Sequence, residues 1–208
     1  ADGVPDYPLI EAYLTGKELK TVAEIDASVS DLMTSARLYM YGLQFTYNPH
    51  RMILNRVTDV YLLDADGNRR ELEDDKLYRV VADLYSGQML SAVTKTSYGL
   101  LSVVPKKADG TPIENFEDVI LTDNGGELKA WTAIAHYMES FPDENGDGIA
   151  DIPQYYAGLH ERKVVDDSAN LVKLIKNPNK YAIMIAGVVL IVILLVVLLI
   201  RLVLKLVK

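Results

Sequence analysis

Residues 7–20 read YPLIEAYLTGKELK, and a change of pattern inside this stretch sets the course of the chain. Tyr7 to Leu14 is rich in branched and aromatic residues and reads as a strand. Thr15 to Glu18 then has the S/T-x-x-E spacing, in which a hydroxyl and a carboxylate satisfy the first free amides of a helix. Strand must therefore give way to helix at Thr15. Leu19, Val22, Ala23 and Ile25 continue an apolar stripe to about Asp26.

The same signals recur further along. Leu38–Tyr47 and Met52–Leu63 have the composition of neighbouring strands, with Asn48-Pro49 between them, and Asp66-Gly67-Asn68 is a turn. Lys76–Leu84 (KLYRVVADL) predicts another strand, followed by a break at Ser86-Gly87 and a short helix through Val93. Leu101–Pro105 and Val119–Thr122 are two more strand candidates, separated by the turn-rich stretch Ala108–Pro112. After Asn124-Gly125-Gly126, the residues Leu128, Trp131, Ile134, Ala135, Met138 and Phe141 recur at intervals of three and four, which predicts an amphipathic helix with Trp131 packed in the core. Pro142–Gly158 is a polar loop, and Asn170–Tyr181 a connector broken at Pro178. No internal repeat is present.

Ala182–Ile200 (AIMIAGVVLIVILLVVLLI) contains no charge, and at about 1.5 Å per residue it spans roughly the 30 Å of a bilayer's hydrocarbon core. Its place near the C-terminal end of the sequence excludes a cleaved secretory signal, and Arg201, Lys205 and Lys208 supply stop-transfer charges. Lys173, Lys176 and Lys180 lie on the other side, so the positive-inside rule is nearly balanced. The acidic folded region decides for an exported domain and a cytoplasmic tail. The expected organisation is a domain over residues 1–165, a juxtamembrane linker at 166–180, a transmembrane helix at 181–201 and a short basic tail at 202–208.

The formal net charge is −8, and subtracting the tail's three positive charges leaves −11 on the remainder. Such a surface repels phosphate backbones, so nucleic acid is excluded as a partner and the lipid bilayer is expected as one. With no cysteine there is no disulfide, thiol catalysis or cysteine zinc site. A cysteine-free single-pass cell-membrane protein with its main domain extracellular fits a Gram-positive bacterium. The first residue is Ala1, and the chain reads as the C-terminal part of something longer.

Motifs for chemistry are sparse. His50, His136 and His160 are far apart, and none belongs to a D-x-H, H-x-H or H-E-x-x-H pair. There is no G-x-S-x-G elbow, P-loop or G-x-G-x-x-G. One loop has a pattern: Asp143, Asn145, Asp147 and Asp151 fall in D-x-N-x-D-G-x-x-D, whose alternating oxygens can converge on calcium where a glycine permits the turn. Gln154 at the twelfth position lacks the bidentate carboxylate of an EF-hand, and the competing reading is a solvated acidic turn.

Three stretches, taken in order, resemble a known family. Tyr13–Lys20 (YLTGKELK) resembles the LTGxxLK strand-to-helix junction of the C-terminal domain of bacterial 5′-nucleotidases. Leu38–Tyr47 (LYMYGLQFTY) is similar to that family's LQVSGLxxxYD strand, and Leu77–Asp83 (LYRVVAD) to its YxVxxN strand. The resemblance covers about residues 7–105, with Glu127–Phe141 as a continuation. It implies an α/β (α+β) fold, a layered sandwich of β-sheets and helices, supplying the nucleobase side of a cleft. Two divalent metals would belong to an upstream catalytic domain, so this chain alone would hydrolyse nothing. The implied substrate-binding residues are Asp83, Tyr85 and Gly87, in a stretch that lacks the family's Gly-Gly-Asp-Gly turn; Asp83 stands where the family has asparagine. The expected partner is a nucleotide or other phosphate ester shared with that upstream domain. The rival expectation is a non-catalytic surface scaffold with a degenerate nucleotide site.

Overall fold

The computed structural model describes residues 6–30, 37–64, 66–96 and 101–206, so Ala1 and Lys208 lie outside the described residues. The elements in order are β1 (Leu9–Thr15), α1 (Gly16–Val29), β2 (Leu43–Tyr47), β3 (Val57–Leu63), β4 (Arg69–Glu71), β5 (Leu77–Asp83) and α2 (Leu84–Thr96). A 3₁₀ turn (Phe116–Val119), β6 (Thr122–Asp123), β7 (Gly126–Glu127) and α3 (Ala130–Glu139) follow. A second 3₁₀ turn (Gln154–Ala157), β8 (Lys163–Val165), α4 (Leu171–Ile175) and α5 (Lys180–Leu206) complete the chain. They divide into two compact units, one of Ala1–Val22 and Arg70–Glu161, the other of Ala23–Arg69 and Arg162–Lys208.

In the first unit β1 pairs antiparallel with β5, from Leu9 opposite Asp83 to Thr15 opposite Leu77. Side chains alternate along a strand, so Ile10, Ala12 and Leu14 all enter the interior. Ile10 and Ala12 cluster there with Ile113 and Phe116, and Leu84, Val119 and Ile120 pack against them. The other edge of β1 is closed by irregular chain: Leu9 N–H donates to Leu128 O at 2.8 Å, Leu121 N–H to Leu9 O at 2.8 Å, and Tyr13 N–H to Lys106 O at 2.8 Å.

The predicted helix start at Thr15 is present with both halves of its cap. Thr15 N–H donates to Glu18 Oε2 at 2.8 Å, and Glu18 N–H to Thr15 Oγ1 at 3.3 Å. The same carboxylate also receives Val104 N–H at 3.0 Å and Lys106 Nζ at 2.6 and 2.7 Å. This explains why Leu101–Pro105 is not a strand. Leu101 and Val103 are buried, but the amide between Val103 and Val104 is held by a side-chain carboxylate rather than by a neighbouring ladder.

β3, β2 and β8 of the second unit belong to a four-stranded sheet of order β4-β3-β2-β8. β2 runs antiparallel to β3, with an irregularity between Thr46 and Tyr47, and parallel to β8. Phe45 at its centre is 1% exposed. β8 has three residues, too few to give a pattern of its own. The second half of α1 is buried even where it is polar: Glu24 accepts from Ser28 Oγ, Arg56 N–H and Val57 N–H, and Asp26 meets Leu38 N–H and Lys163 Nζ at 2.7 Å. Glu24 thus holds the chain at Arg56–Val57, and β3 begins there rather than at Met52.

Two further expectations are corrected. Ser86-Gly87 does not break the chain, because α2 runs straight through it. Trp131 is not core: it is 54% exposed, and α3 buries none of its residues. Backbone bonds of its first turn fix α3 in place, Ala130 N–H to Tyr7 O and Trp131 N–H to the Asp6 carboxylate, while its apolar stripe of Trp131, Ile134, Tyr137 and Met138 faces out.

Candidate functional site

The β1/β5 register continues one step past its last pair, since Leu84 N–H donates to Pro8 O at 2.9 Å. One residue further on each strand lie Tyr7 and Tyr85. Their rings stand 5.6 Å apart between centroids, tilted by 39°. Tyr7 is 53% and Tyr85 45% exposed. Met89, one helical turn on from Tyr85, is also exposed. The result is an open aromatic pair, with apolar surface beside it, at the end of β1.

The other two residues of the expected site have structural duties. Asp83 is the N-cap of α2: its carboxylate accepts Ser86 N–H at 2.8 Å and Ser86 Oγ–H at 2.6 Å. Gly87 is buried where α2 crosses β1. A Cβ there would lie 2.4 Å from Ile10 Cδ1 and 3.3 Å from the Phe116 ring. Of the three, Tyr85 is exposed, Asp83 half-buried and Gly87 buried. Tyr7 escaped the sequence reading, although carrying the antiparallel pairing of the YRVVAD strand two residues beyond Leu9 would have found it.

The four oxygen-bearing residues of the acidic loop are each hydrogen-bonded within it. Asp143 accepts Gly146 N–H at 2.6 Å, Gly148 N–H at 2.8 Å and Asp147 N–H at 3.3 Å. Asn145 Oδ1 accepts Asp147 N–H, Asp147 Oδ1 accepts Ile149 N–H, and Asp151 accepts Glu144 N–H and Asn145 Nδ2. Gly146 and Gly148 take φ of 78° and 86°, which permits the turns. The amides of Gly148 and Gly146 hold the Asp143 carboxyl below its ordinary pKa. Among the described residues, no group of three or more His, Cys, Asp or Glu is arranged to hold a metal ion. The histidines stay separate: His50 contacts Asp167 at 2.8 Å, His136 lies 3.9 Å from Asp123, and His160 stacks on Tyr155.

Strand feeding helix, an antiparallel partner strand and a helix crossing beneath define a mixed α/β domain, here with one long apolar helix at its C-terminal end. Residues 6–93 match the family described as 5′-nucleotidase, C-terminal domain. The fold is similar to the crystal structure of a 5′-nucleotidase precursor from Thermus thermophilus, with a TM-score of 0.50 and 20% identity over 77% of this chain and 25% of that one. A structure of Haemophilus influenzae NAD nucleotidase matches at 22% identity and a TM-score of 0.36, over 46% of this chain and 17% of that one. This chain therefore spans about a quarter of the length of the Thermus protein. No match was found among curated proteins.

Proposed function

We propose that this chain is the substrate-binding, C-terminal portion of a membrane-anchored 5′-nucleotidase-like phosphoesterase that works outside the cell, and that it is not catalytic by itself. The observation that carries the reading is the open Tyr7–Tyr85 pair at the end of β1, in a domain of the 5′-nucleotidase family. A flat base can stack on such rings whatever its edge pattern. Asp83 and Gly87 are occupied by capping and packing, so little is left to read the base by hydrogen bonds. Selectivity among bases is accordingly low. Metal-activated water would come from a separate domain with its own ligands. Lys180–Leu206, 27 residues of apolar helix with none of its most apolar window buried, supports a single-pass anchor.

The test is saturation-transfer NMR on the full chain in detergent micelles, with adenosine 5′-phosphate, uridine 5′-phosphate and base-free ribose 5-phosphate. Stacking on an aromatic side chain is worth about 1–3 kcal/mol, so Tyr85→Ala and Tyr7→Ala should each weaken nucleotide binding by at least about fivefold. Equal signals from all three ligands, unchanged in both variants, would refute the base site and favour a non-catalytic scaffold. Hydrolysis of any of them by this chain alone would refute the division of labour.

A further inference from the structure

We infer that the face of the second unit around the start of α5 is built to lie in the headgroup region of an anionic phospholipid bilayer, so that the unit is seated on the membrane instead of swinging from a tether. The inference rests on reading Lys180–Leu206 as a membrane span.

The segment leading into α5 is bound to the 48–55 loop along its length. Asn48 Nδ2 donates to Ser168 O at 2.8 Å, and His50 Nε2 meets Asp167 at 2.8 Å. The Arg51 guanidinium, 6% exposed, donates to the carbonyls of Lys173 at 2.8 Å, Lys176 at 2.9 Å and Asn55 at 2.7 Å. Asn179 closes the set: its N–H donates to Asn55 Oδ1 at 2.9 Å, and its own Oδ1 caps α5 by accepting the amides of Tyr181 and Ala182. Tyr181 and Ala182 are buried. The stretch that sequence reads as a connector is therefore tied by side-chain hydrogen bonds into one foot at the base of the helix.

That foot exposes what a water-facing surface does not need. In α4, Leu171, Val172 and Ile175 are 77%, 70% and 74% exposed, and Met52 and Ile53 of the bound loop are exposed as well. Interleaved with them are the exposed Lys173, Lys176 and Lys180. Lys173 reaches Asp166 at 3.3 Å and Asp167 is taken by His50, whereas Lys176 and Lys180 have no carboxylate partner among the described residues. Apolar side chains beside lysines that lack a carboxylate partner are the composition of an interfacial element, which buries the first in the acyl boundary and sets the second against lipid phosphate. Continuity singles out the bilayer as the occupant, because α4 is joined to the apolar helix α5 by only the four residues Lys176 to Asn179, three of them tied to the 48–55 loop.

The chain contains no cysteine, so single cysteines report cleanly. Leu171→Cys, Ile175→Cys and Ile53→Cys, each carrying an environment-sensitive fluorophore, are compared in the full chain with Leu194→Cys inside α5 and Asn68→Cys on a surface turn. The proteins are reconstituted in vesicles of phosphatidylcholine with phosphatidylglycerol and quenched with aqueous iodide. The three foot positions should be quenched at least about threefold less than position 68, and this protection should lessen in pure phosphatidylcholine and in Lys176→Gln/Lys180→Gln. Foot positions quenched like position 68 while 194 stays protected would overturn the inference and leave the span standing. Quenching at 194 itself would overturn both. Protection indifferent to lipid charge and to the lysine substitutions would overturn the assignment to anionic lipid.

Discussion

Replacing Glu18 by glutamine removes one charge and no volume, and it strikes the most heavily used side chain of the first unit. The carboxylate accepts from Thr15 N–H and Oγ1–H, Val104 N–H and Lys106 Nζ, and the side chains of Glu18 and Lys106 are only 11% and 18% exposed. Breaking a buried ion pair from one side costs about 3–5 kcal/mol, because the other charge is stranded. Glutamine keeps one acceptor oxygen and Val104 O still faces Lys106 Nζ, so the expected loss is about 2–3 kcal/mol. With a urea m-value of about 2 kcal/mol/M, the midpoint of the full chain in micelles should fall by about 1–1.5 M in circular dichroism. Adding Lys106→Met should recover part of the loss, since it removes the stranded ammonium. The pH dependence is fixed in sign. Burial opposes ionisation of Glu18, but the Lys106 ammonium and the amides of Thr15 and Val104 outweigh it and hold the pKa below the ordinary 4.5. The folded state therefore binds the proton less readily than the unfolded state. Its advantage is complete above the ordinary value and is lost as pH falls through the lowered one, so wild type and Glu18→Gln should converge only in that acid window. A loss under about 0.5 kcal/mol at neutral pH, the range of ordinary surface changes, would refute the account of this side chain as a long-range tie.

Gly16→Ala should destabilise by about 2–3 kcal/mol in the same urea assay, because its Cβ would sit 2.3 Å from Glu73 O while Gly16 N–H is bonded to Lys76 O; an unchanged midpoint would refute the close approach. Calcium entering the Asp143–Asp151 loop must compete with the amides already bonded to Asp143, so calorimetry should show millimolar, weak binding that Asp147→Ala abolishes; no heat at that concentration leaves a solvated turn. Protease added to intact cells should release the region ahead of Lys180, and protection until permeabilisation would refute the outward orientation.

What sequence revealed and what it hid divide along a physical line. The turn from β1 into α1 was legible because Thr15 and Glu18 lie within one helical turn and meet whatever the rest of the chain does. The long apolar run was legible for the same local reason. Leu101–Pro105 and Met52–Arg56 have strand composition yet form none; the amides of Val104 and Arg56 answer instead to Glu18 and Glu24, carboxylates from distant sequence. Trp131 shows the limit of periodicity: a stripe at three- and four-residue spacing says which side chains share a face, but not that anything covers it. At the candidate site Tyr85 was legible from its place after the YRVVAD strand, whereas Tyr7 required the register of β1 on β5.

The bond from Ser86 N–H to Asp83 bears on how the family's sequence pattern should be understood. An N-cap asks only for a short side chain with an acceptor oxygen, and aspartate and asparagine serve almost equally. The exchange of asparagine for aspartate at this place is thus silent about ligands. Asp83→Asn should leave α2 intact, whereas an alanine would fray the turn that carries Tyr85. In this chain the residue at that place marks where α2 begins.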